Sequence, residues 1–342
     1  MTPAAVGVIA NPASGRDVRR LVAGASVFDN AEKGAMVYRL MVGLGAVGVE
    51  RVVMMPAGSG LSEALRRMLQ GRDSSSGADL PELGLLDMRL RGTAEDTVEA
   101  VGAMVEQGVA AIAVLGGDGT NRVVAGSCGD VPLCPISTGT NNAFPELRES
   151  TVAGLAAGLL ATGTLGAEAL RREKILRVTV NAERKTCALV DVARTSEPWV
   201  GARALWRPEA IQEAVIAFGE PRAVGLSALA GLLDPVPRHA QRGLHLILCD
   251  PATAPVRLRA PLAPGLMAEV GVRESRPVAC GETVVLEAGA GSLALDGERE
   301  LELAADDRVE VTLGDDGPVV VDVDAAMREA ARRGLLTERD GA

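Results

Sequence analysis

Three times within the first 142 residues a short apolar run stops at a loop of small polar residues. Val6-Gly7-Val8-Ile9-Ala10 empties into Asn11-Pro12-Ala13-Ser14-Gly15, and Pro132-Leu133-Cys134-Pro135-Ile136 into Ser137-Thr138-Gly139-Thr140-Asn141-Asn142. Between them, Ile112-Ala113-Val114-Leu115 breaks into Gly116-Gly117-Asp118-Gly119-Thr120-Asn121, followed by the helix-like Arg122–Gly126. An uninterrupted apolar run that feeds a tight loop and a helix start reads as a buried parallel strand. Repeated strand–loop–helix alternation is the pattern of a doubly wound parallel sheet. Ligands in such sheets sit outside the carboxyl ends of the strands, so the three loops converge on one crevice.

The middle loop has a chemistry of its own. Glycine permits positive φ and lets backbone approach a ligand closely. Successive N–H groups in such a turn form an anion-binding nest, and a helix start adds partial positive charge. A carboxylate, Asp118, in the middle of that loop is electrostatically out of place unless it handles a proton, a hydroxyl or a metal. The alternative is a plain strand-to-helix turn with Asp118 as its N-cap. Arg16, Arg19 and Arg20 follow the first loop, where they either meet phosphate or form a solvated face.

A chain of 342 residues is long for one core, which predicts two domains. Helices are expected over Glu32–Leu44 and Leu61–Leu69, with strands at Arg51–Met55, Leu83–Met88 and Val109–Leu115 and a capping box from Thr93 to Asp96. After about residue 170 the pattern changes. Ile175–Asn181 and Lys185–Ala193 alternate around a turn at Ala182-Glu183-Arg184, and Pro208–Phe218 reads as a helix. Strands then recur near Gly243–Cys249, Val256–Arg259, Thr283–Glu287, Ser292–Asp296, Arg308–Leu313 and Val319–Val323, the rhythm of a sandwich. The division expected is an α/β nucleotide-binding domain over 1–165, a mainly β-sandwich domain over 170–323, and a helix and tail over 324–342. Leu295-Asp296-Gly297-Glu298 is either a simple hairpin turn or a turn that projects Glu298 or Asp296 toward the crevice.

Composition narrows the chemistry. The net charge of −10 and the absence of a basic cluster argue against nucleic acid and against an anionic membrane surface as partner. His239 and His245 lie far along the chain from the glycine loop, which disfavours histidine-assisted nucleophiles and His-rich zinc sites. Five scattered cysteines read as reduced thiols, and without a signal segment or a spanning apolar run the protein is expected in the cytoplasm. The chemistry therefore rests on carboxylates, amides, hydroxyls and backbone.

Asn11-Pro-Ala-Ser-Gly15, Gly116-Gly-Asp-Gly-Thr120, Pro135-Ile-Ser-Thr-Gly-Thr-Asn-Asn142 and Asp296-Gly-Glu298, in that order, resemble the superfamily of NAD kinases and diacylglycerol- or sphingosine-type lipid kinases. The wording Pro135–Pro145, with Ser26-Val-Phe-Asp-Asn30, looks most like the NAD-kinase-like group named for acetoin-catabolism protein X. The resemblance covers nearly the whole chain. It implies an α/β domain followed by a β-sandwich, with ATP in the cleft between them and phosphoryl transfer assisted by Mg2+.

Carried over, Asp118 would orient or deprotonate the acceptor hydroxyl, and Glu298 would assist the acceptor or the metal, with Asp296 a further metal ligand. Asn11, Ser14, Gly15, Gly116, Gly117, Gly119, Thr120, Asn121, Thr138, Gly139, Thr140, Asn141 and Asn142 would hold the nucleotide. NAD kinases carry an Asn-Glu or Asn-Asp pair that contacts the dinucleotide. The matching stretch is Leu189-Val190-Asp191-Val192, where Asp191 keeps a carboxylate and Val190 cannot hydrogen-bond.

The function expected is an ATP-dependent kinase that acts on NAD or another hydroxylated metabolite, as in NADP biosynthesis. The alternatives are a nucleotide-binding regulator without catalysis and a lipid kinase. The lipid kinase is disfavoured by the acidic balance and by the lack of a basic amphipathic anchor. A homo-oligomer is expected, since sandwich domains of this kind often pair edge to edge.

Overall fold

The computed structural model describes residues 4–12, 26–58, 60–71, 79–198, 200, 204–205 and 207–337. Its five N-terminal apolar runs become β1 (Ala5–Ala10), β2 (Arg51–Met54), β3 (Glu82–Leu85), β4 (Ala111–Gly116) and β5 (Leu133–Ser137). They are interleaved with α1 (Asn30–Ala46), α2 (Leu61–Gln70), α3 (Ala94–Glu106), α4 (Asp118–Ala125) and α5 (Ser150–Ala161). β1 and β4 are buried at every position, as strands covered on both faces must be.

α1 is capped by Asp29, whose carboxylate accepts from the Glu32 N–H at 2.8 Å. It buries Met36, Val37, Leu40, Met41 and Leu44 along one face. Its partner there is α5, and the two backbones approach through glycine: a Cβ on Gly43 would lie 2.2 Å from Thr151 O, and one on Gly154 2.3 Å from Leu40 O.

The remainder comprises β6 (Leu170–Arg172), β7 (Ile175–Val180), β8 (Arg184–Ala188), β9 (Asp191–Thr195), β10 (Ile211–Ile216), α6 (Leu226–Leu233), β11 (Arg242–Cys249), β12 (Val256–Ala263), β13 (Leu266–Ala279), β14 (Thr283–Val285), β15 (Gly291–Leu295), β16 (Glu298–Leu303), β17 (Val309–Gly314), β18 (Val319–Val321) and α7 (Val323–Arg333). A seven-stranded antiparallel sheet runs β12-β13-β11-β10-β9-β15-β16, and a four-stranded one runs β14-β17-β7-β8. Val192, Val215, Val278 and Leu293 of the larger sheet share one core with Leu176, Val178, Val311 and Leu313 of the smaller. The expected parallel α/β half followed by an antiparallel β half is what the chain forms.

Two expectations are corrected, and one strand is added to them. The N-terminal sheet runs β3-β2-β1-β4-β5-β18-β6, so residues 170–172 and 319–321 belong to it rather than to the sandwich. β18 pairs parallel with β5 and antiparallel with β6, and boundaries at 165–170 and 323 therefore cut through one sheet. Pro208–Phe218 is not a helix: a single 3-10 turn at Pro208–Ala210 leads into β10, which is paired on both sides by β9 and β11. The 14-residue β13 had no counterpart in the sequence reading. Among the described residues no helix is long and apolar enough to cross a membrane.

Candidate active site

β4 ends at Gly116, Gly117 caps α4 in extended conformation, and Asp118 is the first helical residue. Asp118 is thus not the cap of its own helix. Its carboxylate turns to the third loop and accepts from the Ala143 N–H at 3.1 and 3.0 Å and from the Phe144 N–H at 2.8 Å. A Cβ on Gly117 would stand 2.8 Å from Asn142 Oδ1, so a larger residue there requires the Asn142 amide to shift. The first turn of any helix leaves N–H groups without an intrahelical acceptor, a natural place for phosphate.

The three loops do converge. Asn11 Nδ2 donates to Thr120 Oγ1 at 3.1 Å, joining the first loop to the second. Lys33, 1% exposed, donates from Nζ to Asn11 O at 3.1 Å. In the third loop Asn142 Nδ2 donates to Ser137 Oγ at 2.7 Å. Thr140 Oγ1 accepts from the Ser26 N–H at 2.9 Å, and Thr138 O from the Phe28 N–H at 3.0 Å, so residues 26–28 strap this loop down. Asn121 is fully buried and holds the glycine loop from within, through Nδ2 to Gly117 O at 2.9 Å. Thr138 and Gly139 are covered, Asn141 is half-buried and Thr140 is exposed. Ser14, Gly15 and the arginines Arg16, Arg19 and Arg20 lie outside the described residues.

From the other half of the chain comes the β15–β16 hairpin, with Asp296 at φ 53° and Gly297 at φ 75°. Asp296 Oδ1 accepts from the Leu189 and Val190 N–H groups at 2.8 Å each. Its Oδ2 faces Arg122 Nε at 3.2 Å, and the side chain is 0% exposed. Burial pushes this carboxyl well above the usual carboxylate range, against the pull of Arg122. That placement corrects the expectation of a metal ligand: Asp296 is closed in from every side and fixes the turn.

Gly297 N–H donates to Asp191 Oδ1 at 3.1 Å, so buried Asp191 also serves the turn. Val190 is 1% exposed, packed in the apolar core. Glu298 reaches the glycine loop: it is half-buried, and a Cβ on Gly119 would lie 3.8 Å from its Oε2.

Three residues that complete this arrangement went unread in the sequence. Arg122 ion-pairs with Glu300 and Asp296, Lys33 holds Asn11, and Arg238 donates to Ala143 O and to Phe144 O. Nothing local marks any of them.

Among the described residues no group of three or more His, Cys, Asp or Glu side chains stands together to hold a metal. Glu298 is a hard oxygen donor at the loop, whereas both Asp118 oxygens accept from backbone N–H groups. Glu298 suits an Mg2+ that arrives with phosphate oxygens of its own rather than one caged by protein.

Residues 6–164 match the family profile of the ATP-NAD kinase N-terminal domain, and residues 174–316 that of the acetoin catabolism protein X C-terminal domain. The chain is 44% identical over 339 residues to acetoin catabolism protein X of Cupriavidus necator, covering 97% of this chain and 93% of that protein. Among solved structures it is similar to a Bacillus anthracis protein assigned as a diacylglycerol kinase, with a TM-score of 0.49, 12% identity, and 94% of this chain and 98% of that one covered. It is also similar to an NAD kinase from Archaeoglobus fulgidus in complex with ATP, with a TM-score of 0.39, 14% identity, and 84% and 98% covered.

Proposed function

The chain belongs to the family of acetoin catabolism protein X, and from its glycine loop we propose that it is a kinase that moves the γ-phosphoryl group of ATP to a hydroxyl of a small metabolite. The observation that carries this reading is the meeting of Asp118 from α4 and Glu298 from the β15–β16 turn at one glycine loop. A pure nucleotide binder gains nothing from carboxylates set against phosphate.

In this reading the phosphates lie against the α4 N-terminus and the third loop. Asp118, oriented by two backbone N–H groups, takes the proton of the acceptor hydroxyl as its oxygen attacks the γ-phosphorus and ADP leaves. Glu298 lies on the acceptor side, and Asn11 and Thr120 hold the loop edge. Mg2+ bound with the nucleotide would neutralise the transferring charge, with Glu298 as its protein ligand. Phosphoryl transfer needs mainly positioning, which is worth ~7–11 kcal/mol when reactants are well held, so no histidine is required.

NAD is the first acceptor to test. Buried Val190, whose carbonyl accepts from the Ala217 N–H at 2.8 Å, favours a different hydroxylated acceptor over NAD. The test is ADP release and 31P detection of product with ATP, Mg2+ and a panel of NAD, nucleosides, polyols and lipids. A phosphorylated product supports the proposal. Tight ATP binding without product across the panel replaces it with the regulator.

A further inference from the structure

Asp118 is gripped by two N–H groups, and one of those peptides is gripped in turn from its other end. The Phe144 N–H that donates to Asp118 Oδ1 at 2.8 Å belongs to the same peptide as the Ala143 carbonyl, which accepts from Arg238 Nη2. The same nitrogen donates to Phe144 O at 3.0 Å, on a peptide that has no N–H of its own because Pro145 follows. We propose that Arg238 is a positioning residue for Asp118, acting through the Ala143–Phe144 peptide from the β-rich half of the chain. The proposal rests on the reading that Asp118 works on the acceptor hydroxyl.

The physical basis is cooperativity along a hydrogen-bonded chain. A guanidinium on a carbonyl polarises the amide and strengthens the donation of its N–H to a carboxylate. The relay runs from Arg238 Nη2 through the Ala143 C=O and the Phe144 N–H to Asp118 Oδ1. It fixes the carboxylate's direction.

Arg238 is itself held rigidly. Its guanidinium stacks over the Phe218 ring at 4.2 Å and the Phe144 ring at 5.7 Å, and Nη1 lies 3.9 Å from Glu173. Buried Lys174 ties down the flanking segment, with Nζ donating to Pro237 O at 3.2 Å and to Arg242 O at 2.6 Å. The geometry thus transmits the position of the 237–242 segment to the acid at the α4 N-terminus.

Asp118 shares the field of the Asp296 carboxyl, on which Arg122 and Asp191 also act, and Glu298 Oε2 faces the neighbouring Gly119. Arg238 reaches Asp118 only through the Ala143–Phe144 peptide.

The test compares wild type with Arg238→Met, which keeps apolar contact with Phe218, and Arg238→Lys, which keeps the charge but not the planar fork. Two readouts are taken: the pH profile of kcat/KM, and the pH titration of the Asp118 side-chain carboxyl by 13C NMR, assigned with Asp118→Asn. The Met variant is expected to lose ~10-fold or more in kcat/KM. Its acidic limb and its carboxyl titration move to higher pH, with the Lys variant between it and wild type. Unchanged limb and titration, with only thermal stability lowered, overturns the proposal. If Arg238→Met fails to fold, the Lys variant makes the same comparison. If wild type transfers no phosphoryl group, the kinase reading falls, and the carboxyl titration still decides the Arg238 relay.

Discussion

Arg122 reaches from α4 to Glu300 on β16, with Nη1 3.0 Å from Oε2. Glu300 stands two residues beyond Glu298, so this pair sets one candidate catalytic carboxylate in register with the helix that begins at the other. The same guanidinium presents Nε to Asp296 at 3.2 Å, so a single arginine on the first sheet's helix is bound to both sides of the hairpin.

Replacing Arg122 by Met leaves the Asp296 carboxyl buried without its cation. Because burial already holds that carboxyl above the usual range, the loss is that of a buried polar partner rather than of a full ion pair, about 1–3 kcal/mol. Urea unfolding is expected to show a loss of that order, with part of it recovered in Arg122→Met/Asp296→Asn. An unchanged midpoint would mean that the hairpin is held by its backbone bonds alone.

Two glycines three positions apart should respond in opposite ways to alanine. At Gly116 a Cβ would stand 2.7 Å from Thr120 Cβ, which cannot swing aside, so Gly116→Ala is expected to cost ~1–3 kcal/mol by overpacking. At Gly119 the neighbour is Glu298 Oε2 at 3.8 Å, an ordinary contact, so Gly119→Ala keeps or gains stability. Its methyl enters the space between loop and acid, and turnover is expected to fall ~10-fold or more. Thermal melts and kinetics on the two variants check this. Equal stability losses would refute it.

Burial pushes Lys174 down from 10.5 to about 8. Between those values the unfolded chain holds a proton that the folded one has released, so stability rises with pH across that window. Below about pH 8 both states are protonated and the cost of burying the charge is constant. The unfolding free energy of wild type relative to Lys174→Met is therefore expected to climb from pH 8 to 10.5 and to be flat below it. A flat difference throughout would mean that Lys174 titrates normally.

What the sequence revealed was set by local demands. The glycine loop and the Asp296-Gly297 turn declare themselves through residues that tolerate positive φ or close approach. β10 misled because Ile211, Ala214, Val215 and Phe218 fall at helical spacing, and pairing with β9 and β11 overrode it. β13 hid behind Gly271, Pro277 and a run of exposed charges. The place of β18 in the N-terminal sheet and the two arginines could not be read at all. Arg122 and Glu300 are 178 residues apart and Arg238 and Ala143 95 apart, and only the fold brings them together.

Asp118 is the group on which phosphoryl transfer turns in this reading. In Asp118→Asn the side chain still meets the Ala143 and Phe144 N–H groups through its oxygen but has no basic oxygen for the acceptor. ATP-dependent formation of phosphorylated product is the measurement. A fall of ~10²–10⁴-fold is expected, with ATP binding little changed. Turnover equal to wild type in Asp118→Asn would contradict it.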